Sequence, residues 1–121
     1  MKVVIPGRFP GLNEFIAACR KSHGKWSGGN AMKQESQKRI MWHLPRNVRF
    51  KRVFLEYTFY EENARRDKDN IMAFFVKVFQ DSLVEMRIIE NDGWKQIDGM
   101  AFHFLIDKKR PRVEIEIREV K

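Results

Sequence analysis

Asp67 and Asp69 stand two residues apart in the run Arg65-Arg66-Asp67-Lys68-Asp69-Asn70. Side chains at i and i+2 of extended backbone point the same way, so this spacing sets two carboxylates side by side. Such a pair repels itself unless a cation joins it. Hard divalent ions such as Mg2+ take carboxylate and water oxygens, commonly one or two protein carboxylates together with substrate phosphate. The pattern therefore points to metal-assisted phosphate chemistry. A plainer reading has Asp69 capping a helix and Asp67 pairing with Arg65 or Arg66. Farther on, Asp69, Ala73, Lys77 and Asp81 recur at every fourth residue and share one helix face. Lys77 could stabilise charge on a phosphate or hold acids ionised. Alternatively it forms an i,i+4 ion pair with Asp81, worth about 0.3–0.5 kcal/mol if exposed. Asn91-Asp92-Gly93-Trp94 follows the apolar pair Ile88-Ile89 and on spacing alone is a tight turn.

The elements that must hold these residues follow from periodicity. Residues 52–61 alternate in strand fashion, with Val53, Leu55, Tyr57 and Phe59 on one face. Residues 69–85 form the best helix in the chain: Met72, Phe75, Phe79 and Leu83 make an apolar stripe, widened by Ile71, Phe74 and Val78. The paired aspartates fall at the junction of these two elements, where backbone geometry can fix side chains. Ahead of them the sequence predicts a short strand over 2–5 closed by Pro6-Gly7, then a helix with Asn13 as N-cap carrying Phe15, Ile16 and Cys19. A Gly/Ser-rich loop follows over 23–30, offering Lys25 and Trp26 to a partner. A mostly polar helix over 31–43 has a thin apolar stripe of Met32, Ile40, Met41 and Leu44. Strands over 100–107 and 112–120 flank Lys108-Lys109-Arg110-Pro111 and read as a carboxy-terminal hairpin. The expected architecture is one α/β (α+β) domain with a mixed sheet of about four strands and helices packed on it.

Composition narrows the function class. A chain of 121 residues with 43% hydrophobic and 33% charged residues has the make-up of a folded globular protein, not a disordered one. No apolar run reaches the roughly 18–20 residues that cross a bilayer, so no membrane partner and a cytoplasmic location are expected. The single Cys19 cannot form an internal disulfide. Zinc held by Cys19, His23, His43 and His103 is not expected, because only Cys19-x3-His23 has ligand-like local spacing and no second pair completes it. The net charge of +8 favours a polyanion partner, and it is uneven. Residues 1–52 hold twelve Lys/Arg against two acids, giving +10, and residues 53–121 hold twelve against fourteen, giving −2. The candidate phosphate contacts are Arg20, Lys21, Lys25, Lys33, Lys38, Arg39, Arg65 and Arg66, acting on backbone rather than on base sequence. A basic face kept only for solubility is the alternative.

Taken together, Arg66-Asp67-Lys68-Asp69-Asn70, then Lys77-x-x-x-Asp81-x-Leu83, then Ile88-Ile89-Glu90-Asn91-Asp92-Gly93 resemble the signature of RusA-type Holliday junction resolvases. In that family an Asp-x-Asp-Asn motif, a Lys-x-x-x-Asp-x-Leu helix and a later acid form the active site. The resemblance extends in kind to the Ile5-Pro6-Gly7 opening, the Asn13 region, the Lys/Arg-rich helix before the strand and the expected terminal hairpin. It implies that Asp67, Asp69 and Asp92 bind Mg2+, with Mn2+ able to substitute. It further implies Lys77 as the active-site lysine and Asn70 and Asp81 as supporting residues. Two departures stand out. The best-known members carry the lysine four residues after the second Asp, where this chain has Ala73, so Lys77 lies one helical turn farther, a shift of about 6 Å. Asn91 also stands where some relatives have another acid.

The activity so implied is a magnesium-dependent endodeoxyribonuclease that resolves four-way junctions by paired symmetric nicks, leaving 5′ phosphate and 3′ hydroxyl ends. A homodimer supplies the two sites that such a junction needs. The implied setting is a bacterial or phage-infected cell. Two alternatives stay open: a nuclease of relaxed specificity acting on flaps and forks, and a branched-DNA binding module without catalysis.

Overall fold

Val53, Leu55, Tyr57 and Phe59 are each exposed by 1% or less, and this row of side chains is the floor on which the molecule is assembled. The computed structural model describes residues 1–21 and 27–121. Within them run β1 (Lys2–Pro6), α1 (Leu12–Cys19), α2 (Gly28–Trp42), β2 (Val53–Glu61), α3 (Lys68–Glu85), β3 (Ile97–Ile106) and β4 (Arg112–Glu119). The strands make one mixed sheet in the order β1-β4-β2-β3. β4 is antiparallel to both β1 and β2, and β3 is parallel to β2. This is a small α+β domain with a four-stranded mixed sheet, the expected class.

α3 returns the chain across the buried face of the sheet. Tyr57 meets Phe75 and Phe79 edge-on at 6.2 and 5.7 Å, and Phe59 meets Phe75 at 5.6 Å. Edge-to-face rings add about 0.5–1.5 kcal/mol to the area each buries. Phe74, Phe75, Val78, Phe79 and Leu83 are buried, whereas Met72 only packs against the margin of the core, so the stripe centres on Phe75. α1 and α2 complete the helical layer. Phe9 packs edge-on against Phe75 at 5.0 Å, and Phe15 lies tilted against Phe74 at 4.9 Å.

Four expectations are corrected. β3 and β4 are not a hairpin: β2 lies between them, hydrogen-bonded to both. Residues 107–111 span the end of β2, where the Asp107 N–H donates to the Glu61 carbonyl at 2.8 Å. Alternation tells which face a side chain takes and leaves the neighbouring strand open. β3 also begins at Ile97, not at Met100. At α1 the N-cap is Gly11, and Asn13 sits inside the first turn. A Cβ on Gly11 would lie 2.8 Å from the Asn70 side chain, so the close approach of α3 selects glycine there. Finally, the predicted loop over 23–30 gives way to helix from Gly28, with Ser27 as N-cap accepting the Asn30 N–H at 3.0 Å. Gly28 and Gly29 serve close packing of α2 on α1: a Cβ on Gly29 would collide with Cys19 Sγ. His23, Lys25 and Trp26 of that expected loop lie outside the described residues.

Candidate functional site

The turn from β2 into α3 is held by one guanidinium. Arg66 donates from Nε and Nη2 to Glu61 Oε1 at 3.0 and 2.8 Å, and from Nη1 to the Phe9 carbonyl at 2.9 Å. Its side chain is 14% exposed, so this pair, in which two N–H groups share one carboxylate oxygen, is shielded and stronger than a surface one. The turn is fixed further by the Arg65 N–H donating to Asn63 Oδ1 at 3.0 Å. Asp67 follows directly as the N-cap residue of α3, without a side-chain cap bond, and Asp69 lies in the first turn. Both are exposed. Among the described residues Asp67 has no ion-pair partner, and Asp69 accepts only the N–H of its neighbour Asn70, at 2.9 Å. The plainer reading of this pair is thereby corrected: Asp69 is not the N-cap, and the arginine of the turn is taken by Glu61. Asn70 reaches the other way, accepting the Asn13 N–H at 2.8 Å and tying α1 to α3.

Asp67 and Asp69 line one cavity of about 530 Å³ with Glu61, Asn63, Lys68, Phe104 and Ile106. The cavity therefore joins an apolar floor from β3, two carboxylates with no ion-pair partner among the described residues and the positive end of a helix. Lys68 is a member that the sequence reading passed over, although it stands between the two acids. It is exposed and lies 5.8 Å over the Phe104 ring, where it can meet an anion that approaches the acids.

Asp92 and Lys77 are elsewhere. Eight residues separate Lys77 from Asp69 on α3, about 12 Å along the axis. Lys77 Nζ lies 3.1 Å from Asp81 Oδ1 and 3.7 Å from Asp92 Oδ2, and Lys33 Nζ lies 3.0 Å from Asp81 Oδ2. These four side chains alternate in sign as Lys33, Asp81, Lys77, Asp92. Hydrogen bonding and attraction to Asp81 raise the Lys77 ammonium above its ordinary value. For Asp81, burial acts upward, and the bonds from Lys33 and Lys77 outweigh it, leaving the carboxyl below the ordinary aspartate value. Asp92 lines a second cavity, with Gln80, Trp94, Ile97 and Met100. The two cavities share no residue.

The structure thus brings Asp67 and Asp69 to one cavity and joins Lys77, Asp81 and Asp92 in a different cluster. Among the described residues no three acidic, histidine or cysteine side chains converge closely enough to hold a metal ion. In this structure Asp92 stands beside Lys77 and lines a different cavity from Asp67 and Asp69. Asp67 and Asp69 alone suit Mg2+, which commonly takes one or two carboxylates and completes its shell with water and phosphate oxygens.

The basic candidates divide as well. Arg39 donates to the carbonyls of Arg8 and Pro6 and lies 3.8 Å over Phe9. Burial lowers the pKa of its guanidinium, and its contacts give it a structural task. Arg66 and Lys33 are engaged as described. Arg20, Lys21, Lys38 and Arg65 are exposed, with no ion-pair partner among the described residues. Lys25 falls outside them. No described helix is long and apolar enough to cross a membrane. No protein-family model and no curated protein matches this chain.

Proposed function

We propose that this protein is a magnesium-dependent, structure-selective endodeoxyribonuclease of the RusA type, acting on four-way DNA junctions in the cytoplasm. The observation that carries the reading is the pair Asp67 and Asp69: two exposed carboxylates at the start of α3, with no cationic partner among the described residues, lining one cavity in a chain of net charge +8. What supports the reading is that two carboxylates two residues apart line one cavity, whereas Asp81 and Glu61 are paired with cations. Two such acids suit a metal ion on a phosphodiester.

In this reading Asp67 and Asp69 hold Mg2+, with Mn2+ as a substitute. When bound, the ion polarises the scissile phosphate and lowers the pKa of its water. Arg66 and Asn63 keep the turn rigid so that the carboxylates stay in place. Lys68 and Arg65 border the pair and position the phosphate, while the basic surface of the amino-terminal half attracts DNA without reading its bases.

The test is cleavage of labelled substrates in Mg2+: a mobile four-way junction, a flap, a fork and a linear duplex. Paired ligatable nicks in the junction, loss of cutting in EDTA and an intact duplex support the proposal. Equal cutting of flaps and forks would replace it with a relaxed branched-DNA nuclease. Junction binding without cleavage in either Mg2+ or Mn2+ would replace it with a non-catalytic binding module.

A further inference from the structure

Among the described residues the two most exposed large apolar side chains are Trp42, the last residue of α2, at 84%, and Trp94, just before β3, at 96%. Both stand at the end of the molecule where β2 and β3 begin. The acid pair follows the other end of β2, so a nine-residue strand, about 27 Å from first residue to last, separates the two regions. A single exposed apolar side chain is ordinary, whereas two indoles left in water at one end call for a ligand.

The chain between α2 and β2 links the two tryptophans. Met41 shares a groove with Glu85, the last residue of α3. The Phe50 N–H donates to the Ile88 carbonyl at 2.7 Å, and the Val53 N–H donates to the Gln96 carbonyl at 2.8 Å. Residues 43–52 therefore pass from Trp42, by the end of α3, to the turn that carries Trp94. They include Arg46, Arg49, Lys51 and Arg52 and no acid. Arg52 pairs with Asp98. The other three are exposed, as are Arg87 beside Ile88 and Lys95 beside Trp94, and these five cations have no ion-pair partner among the described residues. The exposed acids at this end are Glu85, Glu90 and Glu119, so the cations are in excess. Arg87 also occupies the left-handed position after the helix cap, at φ 59°, with the Ile88 N–H on the Leu83 carbonyl at 2.9 Å. Glycine adopts that conformation most easily, and arginine there instead sets a guanidinium in solvent beside the basic segment.

We propose that this end of the molecule binds single-stranded nucleic acid, with unpaired bases stacked on Trp42 and Trp94 and the phosphates between them held by the five cations. Every base has an aromatic face, so stacking of this kind accepts any sequence, and a duplex keeps those faces covered within its own stack. Exposed cations in excess over acids supply the phosphate contacts and a dependence on salt. The surface shares no residue with the cavity of Asp67 and Asp69. It needs neither metal nor cleavage, and so it is independent of the nuclease reading.

The test is binding in EDTA, where no metal-dependent cutting occurs, to a labelled oligothymidylate of about 12 nucleotides, an abasic strand of equal length and a matching duplex. Oligothymidylate should bind at least about tenfold more tightly than the other two. Trp42→Ala and Trp94→Ala should each weaken it by about 5- to 100-fold, and Trp42→Phe and Trp94→Phe should keep most of the affinity. The Arg49→Ala, Arg87→Ala double variant should lower the slope of log affinity against log salt by about 1.4. In a Trp26→Phe chain, where Trp42 and Trp94 are the remaining indoles, binding should quench the emission. Equal affinity for the abasic strand or the duplex would reduce this end to a general polyanion surface and overturn the inference. Unchanged oligothymidylate affinity in both alanine variants would overturn it as well. Junction cleavage by a protein that does not bind oligothymidylate would overturn it and leave the nuclease reading intact.

Discussion

The two ends of α3 carry acids of opposite character. At the amino-terminal end Asp67 and Asp69 are exposed and have no cationic partner among the described residues. Three turns on, Asp81 is 22% exposed and bonded by Lys33 and Lys77, while Lys77 also reaches Asp92. One end leaves charge available to a ligand, and the other satisfies it internally. In the proposed reading the first end meets the ligand and the second holds its acids in place.

Removing the open charges tests this contrast most severely. Asp67→Asn should lower junction cleavage by on the order of 1,000-fold, equivalent to about 4 kcal/mol of transition-state stabilisation. The same change should leave urea stability within about 0.5 kcal/mol of wild type, because no contact is lost. A comparable stability loss would assign Asp67 to the fold. Lys77→Met should act next most strongly, reducing cleavage by about 10–100-fold as expected for a residue that orients an acid. Its effect on junction affinity should be small, and an unchanged cleavage rate would confine Lys77 to its ion pair with Asp81.

Smaller effects sharpen the comparison. Arg65→Ala and Lys68→Ala should each weaken junction binding and reduce the slope of log affinity against log salt by about one. Arg39→Ala should leave that slope unchanged and lower stability instead, since its guanidinium is engaged by two carbonyls and Phe9. The smallest effect belongs to Asp81→Asn, a loss of about 0.2–1 kcal/mol read from urea midpoints. Its sign with pH follows from the lowered carboxyl. The contribution is fully present above the ordinary aspartate value of 3.8 and is lost as pH falls through the lower folded value. Wild type and Asp81→Asn should therefore converge in stability under strong acid and separate near neutrality.

Much of this arrangement was legible in the residues. β2 and α3 follow from alternation and from the spacing of Phe75, Phe79 and Leu83, because burial imposes those periods. The junction placing Asp67 and Asp69 followed with them. The i,i+4 pair of Lys77 and Asp81 was equally readable, since it is local. What escaped depended on distant parts of the chain. The insertion of β2 between β3 and β4 is a choice of neighbour that alternation does not encode. The cap at Gly11 was set by Asn70, fifty-nine residues away, and the start of α2 at Gly28 by the packing of Gly29 on Cys19. The engagement of Arg66 by Glu61 looked in sequence like one of several carboxylate choices. The position of Asp92 beside Lys77, rather than beside Asp67 and Asp69, arises because the chain passes through the buried pair Ile88 and Ile89 before it turns.

The most direct test of the central claim is single-turnover cleavage of a labelled four-way junction in Mg2+ by wild type and Asp69→Asn, with affinity for the same junction measured beside it. The account predicts that wild type nicks opposed strands while Asp69→Asn binds with similar affinity and does not cut. Equal cleavage by the two proteins would contradict it, removing the open carboxylates of α3 from the chemistry.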